Sequence, residues 1–378
     1  MKVGVPRETA PGERRAAMVP EVISKLAKLG LEFLVERGAG SNAFLADSDY
    51  EKAGARLLPD ARALCAEADI VVKVQRPTLE EAELLKEGSV VVSLLQVHTS
   101  LEIVSKLAAR RITAFSMDLV PRITKAQEMD ALSSMSTISG YKAVLLGAAA
   151  LGKLLPMITS AAGTLRPARV FILGAGVAGL QAIATARRLG AVVQAFDIRP
   201  ATKEQVQSLG ATFVELDLSQ AETEAASGYA KELSTDSQTR ALETIRKNLK
   251  NVDIVISTAL IPGKPAPRLI TREMLSEMKL GSVIVDLAAE AGGNCEATEP
   301  GKEIVCGNVV ILGPTNLAAS VPTHASEMYS RNVASFLRYV VKEGSLKLDF
   351  EDPIVKDMCL THQGEVRNEG ARKLLAGA

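Results

Sequence analysis

The chain is poor in the side chains that most often carry proton or metal chemistry. Three of its 378 residues are histidine (His98, His324 and His362) and four are cysteine. Cys65, Cys295, Cys306 and Cys359 show no C-x-x-C spacing. Reduced thiols of a cytoplasmic protein are expected, and no metal site. An excess of one charge is missing too. Lys+Arg and Asp+Glu both number 44, so no net field draws the chain to nucleic acid or to an anionic membrane. The most apolar stretch, Ile138 to Ala162, is broken by Lys142, Lys153 and Pro156, whereas a spanning helix needs about 20 mostly apolar residues. A long buried helix is expected there, with no direct membrane insertion. Met1-Lys2-Val3-Gly4 leads straight into a strand pattern, so no signal peptide is expected. Short repeats and low-complexity tails are absent. At 378 residues and 47% hydrophobic content, the chain is comfortable as two domains with two cores.

The most informative stretch is residues 169–199, RVFILGAGVAGLQAIATARRLGAVVQAFDIR. Arg169 to Leu173 is a short apolar run of the buried parallel-strand type. It ends in Gly174-Ala175-Gly176-Val177-Ala178-Gly179, after which Leu180, Ile183, Ala184 and Leu189 recur at helical spacing. Gly190 stops that helix, and Ala191 to Phe196 forms a second strand closing on Asp197-Ile198-Arg199. This is G-x-G-x-x-G in the strand–turn–helix–strand setting that dinucleotide binding requires. Gly174 permits the tight turn, Gly176 lets the backbone approach a diphosphate, and Gly179 lets the helix pack closely on the strand. Unpaired amides at the helix N-terminus favour the negative charge. Asp197 falls near the spacing of about 20 residues at which a carboxylate takes the ribose hydroxyls. A 2′-phosphate about 4 Å from that carboxylate would be repelled by roughly 4 kcal/mol at an effective dielectric near 20. The cofactor is therefore read as NAD(H), although Arg199, swung inward, would offset part of the discrimination.

The rest of the chain repeats the alternation. Strand patterns at MKVGVP, LEFLVERG, DIVVKV, Ser89–Leu95 and Ile112–Met117 are separated by helical stretches at Val19–Leu29, near 80–86 and near 100–110. Thr212–Leu216, Asp253–Thr258, Ser282–Asp286 and Val309–Gly313 continue the strands, and Ala325–Val341 reads as a helix returning to the first domain. The polar run to about Arg240 is expected to be a mobile loop, with a helix from about Ala241. The fold class is α/β: two doubly wound Rossmann-like subdomains with mostly parallel sheets, only the second carrying the fingerprint. The boundaries are set at 1–133 with 320–378 for the first and 134–319 for the second.

Proton-transfer candidates are few. His98 follows a strand and reads as either an acid/base or a rim residue. Arg15 and Lys73, on or after strands, read as carboxylate holders or as structural ion pairs. The segment PRITKAQEMDALSS offers a guanidinium (Arg122), an amide (Gln127), a carboxylate (Asp130) and a hydroxyl (Ser133) within twelve residues. A plain helix-capping loop, with Ser133 or Ser134 as the cap, is the alternative. Hydride transfer between two nicotinamide rings needs no protein acid. It needs a fixed ring, reacting carbons about 3–3.5 Å apart, and water kept out. Amide, hydroxyl and guanidinium groups suit that task.

Those segments, together with GYAKE (228–232), TALIPGKPAP and VDLAAEAGGN, resemble the NAD(H)-binding component of proton-translocating nicotinamide nucleotide transhydrogenases over essentially the whole chain. The resemblance implies that Arg122, Gln127 and Asp130, assisted by Ser133, hold the nicotinamide. It implies that Gly228 and Tyr229 belong to a loop closing over nucleotide, that Asp197, Ile198 and Arg199 form the adenosine-ribose element, and that Leu260 lies near adenine and ribose. It also implies a homodimer, a membrane-spanning partner that moves protons, a partner subunit holding NADP(H), and a peripheral position at the cytoplasmic face of the inner membrane. GVPRE, ERRAAMVPE and the glycine motif also resemble alanine dehydrogenase, the alternative reading. There Arg15 and Lys73 match the pyruvate-binding pair, but the catalytic histidine position reads Leu95-Gln96-Val97 and the aspartate position reads Glu290. An amide does not shuttle protons at neutral pH.

Overall fold

The short β-branched runs of the first hundred residues become β1 (Lys2–Val5), β2 (Glu32–Glu36), β3 (Arg56–Leu58), β4 (Ile70–Gln75), β5 (Val90–Leu94) and β6 (Thr113–Ser116). They pair in parallel in the order β3-β2-β1-β4-β5-β6. The chain's end adds two more strands. Cys359–His362 runs antiparallel to β6, and Glu365–Val366 antiparallel to it in turn. The structure, a computed structural model, describes residues 1–28, 30–216, 234–261 and 263–376. It divides into a first unit, Met1–Met135 with Ala318–Ala378, and a second, Ser136–Leu317.

The second unit is built on β7 (Arg169–Leu173), β8 (Val192–Phe196), β9 (Thr212–Val214), β10 (Ile254–Ser257), β11 (Ser282–Asp286), β12 (Glu303–Cys306) and β13 (Val309–Leu312). Their order is β9-β8-β7-β10-β11-β13-β12, parallel except for the β12–β13 hairpin. Strand periodicity sends alternate residues to opposite faces. Val170 and Ile172 pack with Ile183, Val193 and Ile254. Phe171 and Leu173 pack with Ile245, Leu249 and Met274. Both faces are therefore apolar, each large side chain contributing roughly 1.5–3 kcal/mol when fully buried. In both sheets the strand order reverses next to the first strand, between β1 and β4 and between β7 and β10. Doubly wound folds bind ligands outside the carboxyl ends of the strands at that switch point.

Three sequence expectations are corrected. The helix expected over Ile138–Ala162 is Ala131–Ala150 instead. Proline at 156 disfavours helical backbone before it, and Ile158–Ser160 with Gly163–Leu165 forms an exposed two-stranded hairpin. The helix is only partly buried along its length. The helix expected from about Ala241 starts at Thr235, because the Ser234 hydroxyl caps it by accepting from the Ser237 N–H at 3.3 Å. The antiparallel edge strands, β12 and the C-terminal pair, are additions to the sequence reading. Among the described residues no helix is long and apolar enough to cross a membrane.

Candidate functional site

In the second unit, β7 runs into Gly174, whose φ of +97° is open to glycine without strain. Its N–H donates to Phe196 O at 2.8 Å, fixing the turn to β8. A Cβ at Gly174 would stand 2.6 Å from Thr258 Oγ1, whose hydroxyl donates to Gly174 O at 3.0 Å. Thr258, next after β10, thus packs against the inner side of the turn. Helix Val177–Arg188 begins at once, with Gly176 as its N-cap and no side-chain cap. A Cβ at Gly179 would meet Gly174 O at 1.9 Å, so helix and turn are in backbone contact. At Gly176 the same test meets nothing within 4 Å. The turn is shut on its inner side and open at the uncapped amides, which fits a diphosphate.

Asp197 ends β8 and is 7% exposed. Its Oδ2 accepts from the Ala175 N–H at 2.7 Å and from Arg199 Nη2 at 2.8 Å. Its Oδ1 accepts from the Arg199 N–H at 2.8 Å and Nε at 2.9 Å. Four donors fill the roughly four lone-pair sites of a carboxylate. Asp197 therefore braces the glycine turn, a role that the sequence spacing did not disclose. Ile198 packs on the core below, and Leu260 is exposed after β10. Gly228 and Tyr229 lie outside the described residues.

Sequence reasoning assigned no role to Asp286 or Asn294, both fully buried. Asp286 accepts from Ser257 Oγ, Thr298 Oγ1 and the N–H groups of Ala288, Asn294 and Cys295 at 2.7–3.0 Å. Asn294 Nδ2 donates to Ala259 O (2.9 Å) and Pro267 O (2.8 Å), and its Oδ1 accepts from the Ala259 N–H at 3.1 Å. The pair clamps the stretch that carries Leu260. The available signal was a lone carboxylate ending a strand within VDLAAEAGGN, the segment that Asn294 closes.

In the first unit, residues 121–133 form an extended entry, a 3₁₀ turn Thr124–Met129, and the start of helix Ala131–Ala150. Ala126 and Met129 face inward, while Arg122 and Gln127 are exposed. The capping role expected of Ser133 or Ser134 belongs to Asp130. Its Oδ1 accepts the Ser133 N–H at 2.8 Å and its Oδ2 the Ser133 hydroxyl at 2.6 Å. The helix starts at 131, so residue 130 precedes its free amides.

The residues of the alanine dehydrogenase reading are engaged internally. The Glu13 carboxylate accepts from Arg15 N–H, Nε and Nη2, from the Arg14 N–H and from Gln75 Nε2 at 2.6–3.0 Å. Burial alone would raise its pKa, but Arg15 and the other donors overcome this and hold it at about 2. Lys73 Nζ donates to both Glu81 oxygens at 2.8 Å and lies 4.0 Å from Glu8. Burial raises the Glu81 pKa, yet Lys73 outweighs it and leaves the value below normal. Glu8 accepts the Val74 N–H at 2.5 Å, and burial, only partly offset by Lys73, pushes it up to about 7. These groups fill the carboxyl ends of β1 and β4. His98, Gln96 and Glu290 are exposed.

Comparison with known proteins identifies the family and agrees with the fold. The family model "Alanine dehydrogenase/PNT, N-terminal domain" matches residues 4–139, and "Alanine dehydrogenase/PNT, C-terminal domain" matches residues 143–369. The chain is 48% identical over 374 residues to the Rhodospirillum rubrum protein named as the first part of NAD(P) transhydrogenase subunit alpha, with 97% of each chain covered. A solved transhydrogenase from Sinorhizobium meliloti superposes with a TM-score of 0.89 at 44% identity, covering 97% of this chain and all of that one. A solved L-alanine dehydrogenase gives a TM-score of 0.84 at 25% identity, covering 100% and 99%. The chain belongs to the alanine dehydrogenase/PNT family.

Proposed function

We propose that this protein is the NAD(H)-binding subunit of a proton-translocating NAD(P) transhydrogenase. NADH held here gives a hydride to NADP⁺ on a partner subunit, and a separate membrane component moves protons. The observation that carries the reading is the glycine turn, open only at Gly176 and its uncapped amides. Gly174 to Gly179 would seat the diphosphate, with Asp197, Ile198, Arg199 and Leu260 around the adenosine half. Bound NADH supplies the hydride from its nicotinamide ring. Arg122 and Gln127, both exposed, would hold the carboxamide and ribose, while Asp130 fixes the Ser133 hydroxyl beside them. Holding one rotamer and excluding water is the contribution such groups make to transfer between two rings. Gly228 and Tyr229 are assigned to a segment closing over the nucleotide.

The domain boundaries near 133 and 320, the homodimer and the peripheral position at the cytoplasmic face of the inner membrane belong to the same proposal. The dimer is supported by the hairpin at 158–165. Among the described residues its strands pair only with each other, and Met157 beside it and Leu165 within it are 63% and 57% exposed. An isolated two-stranded hairpin is marginal in water, so a second copy is the natural cover.

The test mixes the purified chain with an NADP(H)-binding transhydrogenase component and follows reduction of an NADP⁺ analogue by NADH. Absence of transfer, with both nucleotides bound, defeats the reading. Alanine dehydrogenase has the support of the 25% identical structure. Arg15 and Lys73, however, are taken up by Glu13 and Glu81. Robust NADH production from alanine and NAD⁺ by this chain alone would favour it instead.

A further inference from the structure

The 3₁₀ turn that exposes Gln127 is intrinsically weak, since such turns have poor hydrogen-bond geometry and rarely persist alone. It is pinned on both sides of Gln127 by residues more than 200 positions away. Asn332 Nδ2 donates to Glu128 O at 2.8 Å, and Ser335 Oγ donates to Glu128 Oε2 at 3.3 Å. On the other side, Lys125 Nζ donates to Tyr339 Oη and lies 4.6 Å from the centre of that ring. Asp352 completes the clamp, 2.5 Å from Tyr339 Oη and 3.4 Å from Lys125 Nζ. Asn332, Ser335 and Tyr339 all belong to helix Pro322–Val340. Their spacing of i, i+3 and i+7 puts them on one face.

Asn332 carries a second message. It is 6% exposed, and its Oδ1 is buried without a hydrogen-bond partner. A buried unpaired acceptor costs stability, and an apolar residue there would avoid that cost. The side chain's one described hydrogen bond is to the turn.

We propose that Asn332 and Tyr339 are positioning residues. Through them helix Pro322–Val340 fixes where the 124–129 turn presents Gln127, acting on the turn and not on the nucleotide. This rests on the reading of residues 122–133 as the nicotinamide-holding segment. The geometric demand of transfer between two rings explains why a short surface turn is tied down at both flanks. A displacement of about 1 Å in a positioning group can cost on the order of 100-fold in rate.

The test uses Asn332→Ala and Tyr339→Phe in the full chain, with Ser330→Ala as control. Ser330 lies on the same helix and accepts from the Val19 N–H at 3.0 Å, away from the turn. Tyr339→Phe keeps the ring over Lys125, so it reports on the clamp even where Asn332→Ala folds poorly. Three quantities are read: hydrogen exchange of amides 124–130 without nucleotide, NADH affinity by NADH fluorescence, and transfer rate with the NADP(H)-binding component. Both variants should exchange those amides about tenfold faster and lose about tenfold in transfer, with NADH affinity within about twofold. The control should leave all three at wild-type values. Unchanged exchange in both variants overturns the proposal, as does a control that loosens the same amides equally. A fall in affinity matching the fall in rate also overturns it, because the turn would then only bind. If wild-type chain transfers nothing, the proposed function fails, while exchange still shows whether the helix holds the turn.

Discussion

Two glycines three residues apart separate folding from binding. At Gly179, an alanine Cβ would lie 1.9 Å from Gly174 O and 2.9 Å from Gly174 C, both backbone atoms. Ordinary contact needs about 3.4 Å or more, and no flexible side chain can give way, so helix or turn must move by more than 1 Å. Alanine gains about 0.8–1 kcal/mol of helix propensity over glycine, but forced overpacking costs about 1–3 kcal/mol and the contact here is severe. Gly179→Ala should therefore destabilise the chain by about 1–2 kcal/mol and weaken NADH binding through a displaced turn. At Gly176, φ is −77° and nothing lies within 4 Å of the added Cβ. There alanine should be neutral or stabilise by up to about 1 kcal/mol through the unfolded state. Its methyl would stand where a diphosphate approaches, so NADH affinity should fall at least tenfold, about 1.4 kcal/mol. Urea unfolding and NADH fluorescence titration measure both quantities on each variant. Gly176→Ala with wild-type NADH affinity would refute the diphosphate seat. Gly179→Ala with wild-type stability would refute the steric argument.

Arg199→Met should sharpen the preference for NADH over NADPH. It leaves the Asp197 carboxylate without its bidentate partner, so a 2′-phosphate about 4 Å away meets roughly 4 kcal/mol of repulsion at an effective dielectric near 20. Competitive titration checks it, and tighter NADPH binding would contradict the reasoning. Glu13→Gln should cost about 1.5–3 kcal/mol in urea unfolding, the range for hydrogen bonds to a charged group, since the carboxylate takes three donors from Arg15, which is 3% exposed. Glu13→Leu with Arg15→Met should cost clearly less. Two carboxylates give opposite pH slopes. Glu13, held at about 2, contributes stability above its unfolded pKa near 4.5, and this is lost as pH falls toward 2. Glu8, raised to about 7, favours the fold below 4.5, and that contribution is lost as pH rises through 7. Thermal melts of Glu8→Gln should therefore be flatter than wild type between pH 5 and pH 8, and an equally sloped profile would count against a buried, proton-holding Glu8.

The strand–turn–helix around Gly174 was legible because every signal there is local: β-branched runs, glycine spacing and helical periodicity. The alternation of strands with helices likewise carried the two parallel sheets. What the sequence hid depends on distant partners. Spacing puts Asp197 at the ribose position, but not its contact with Ala175 of the turn, which is fixed only when β7 and β8 pair. Asp130 looked like a ring-holding carboxylate, and its contact with Ser133 required knowing that the helix starts at 131. The overextended helix at 138–162 failed because composition, rich in alanine and leucine, outweighed Pro156 and the glycines in the reading. The edge strands β12 (EIVC) and Cys359–His362 (CLTH) are four residues each and show no clean alternation, so periodicity does not separate them from loop.

The two sheets share one strand order up to the switch point, so their difference as binding sites reduces to what stands at the carboxyl ends of the central strands. At β7 and β10 the backbone turns on glycine, and the helix amides are left uncapped. At β1 and β4 the same place holds Glu8, Glu13, Arg15, Lys73 and Glu81, hydrogen-bonded to one another or to strand backbone. An incoming anion there would have to take Arg15 from a carboxylate with five short donors, or Lys73 from a bidentate one. A new charge-assisted hydrogen bond is worth about 1.5–3 kcal/mol, and an anion making one there first gives up bonds of the same kind already formed to the carboxylates. The first unit is thus self-occupied by its own acidic side chains, and the second remains open. Under the proposed function, the second ring for hydride exchange is the one that a partner subunit presents.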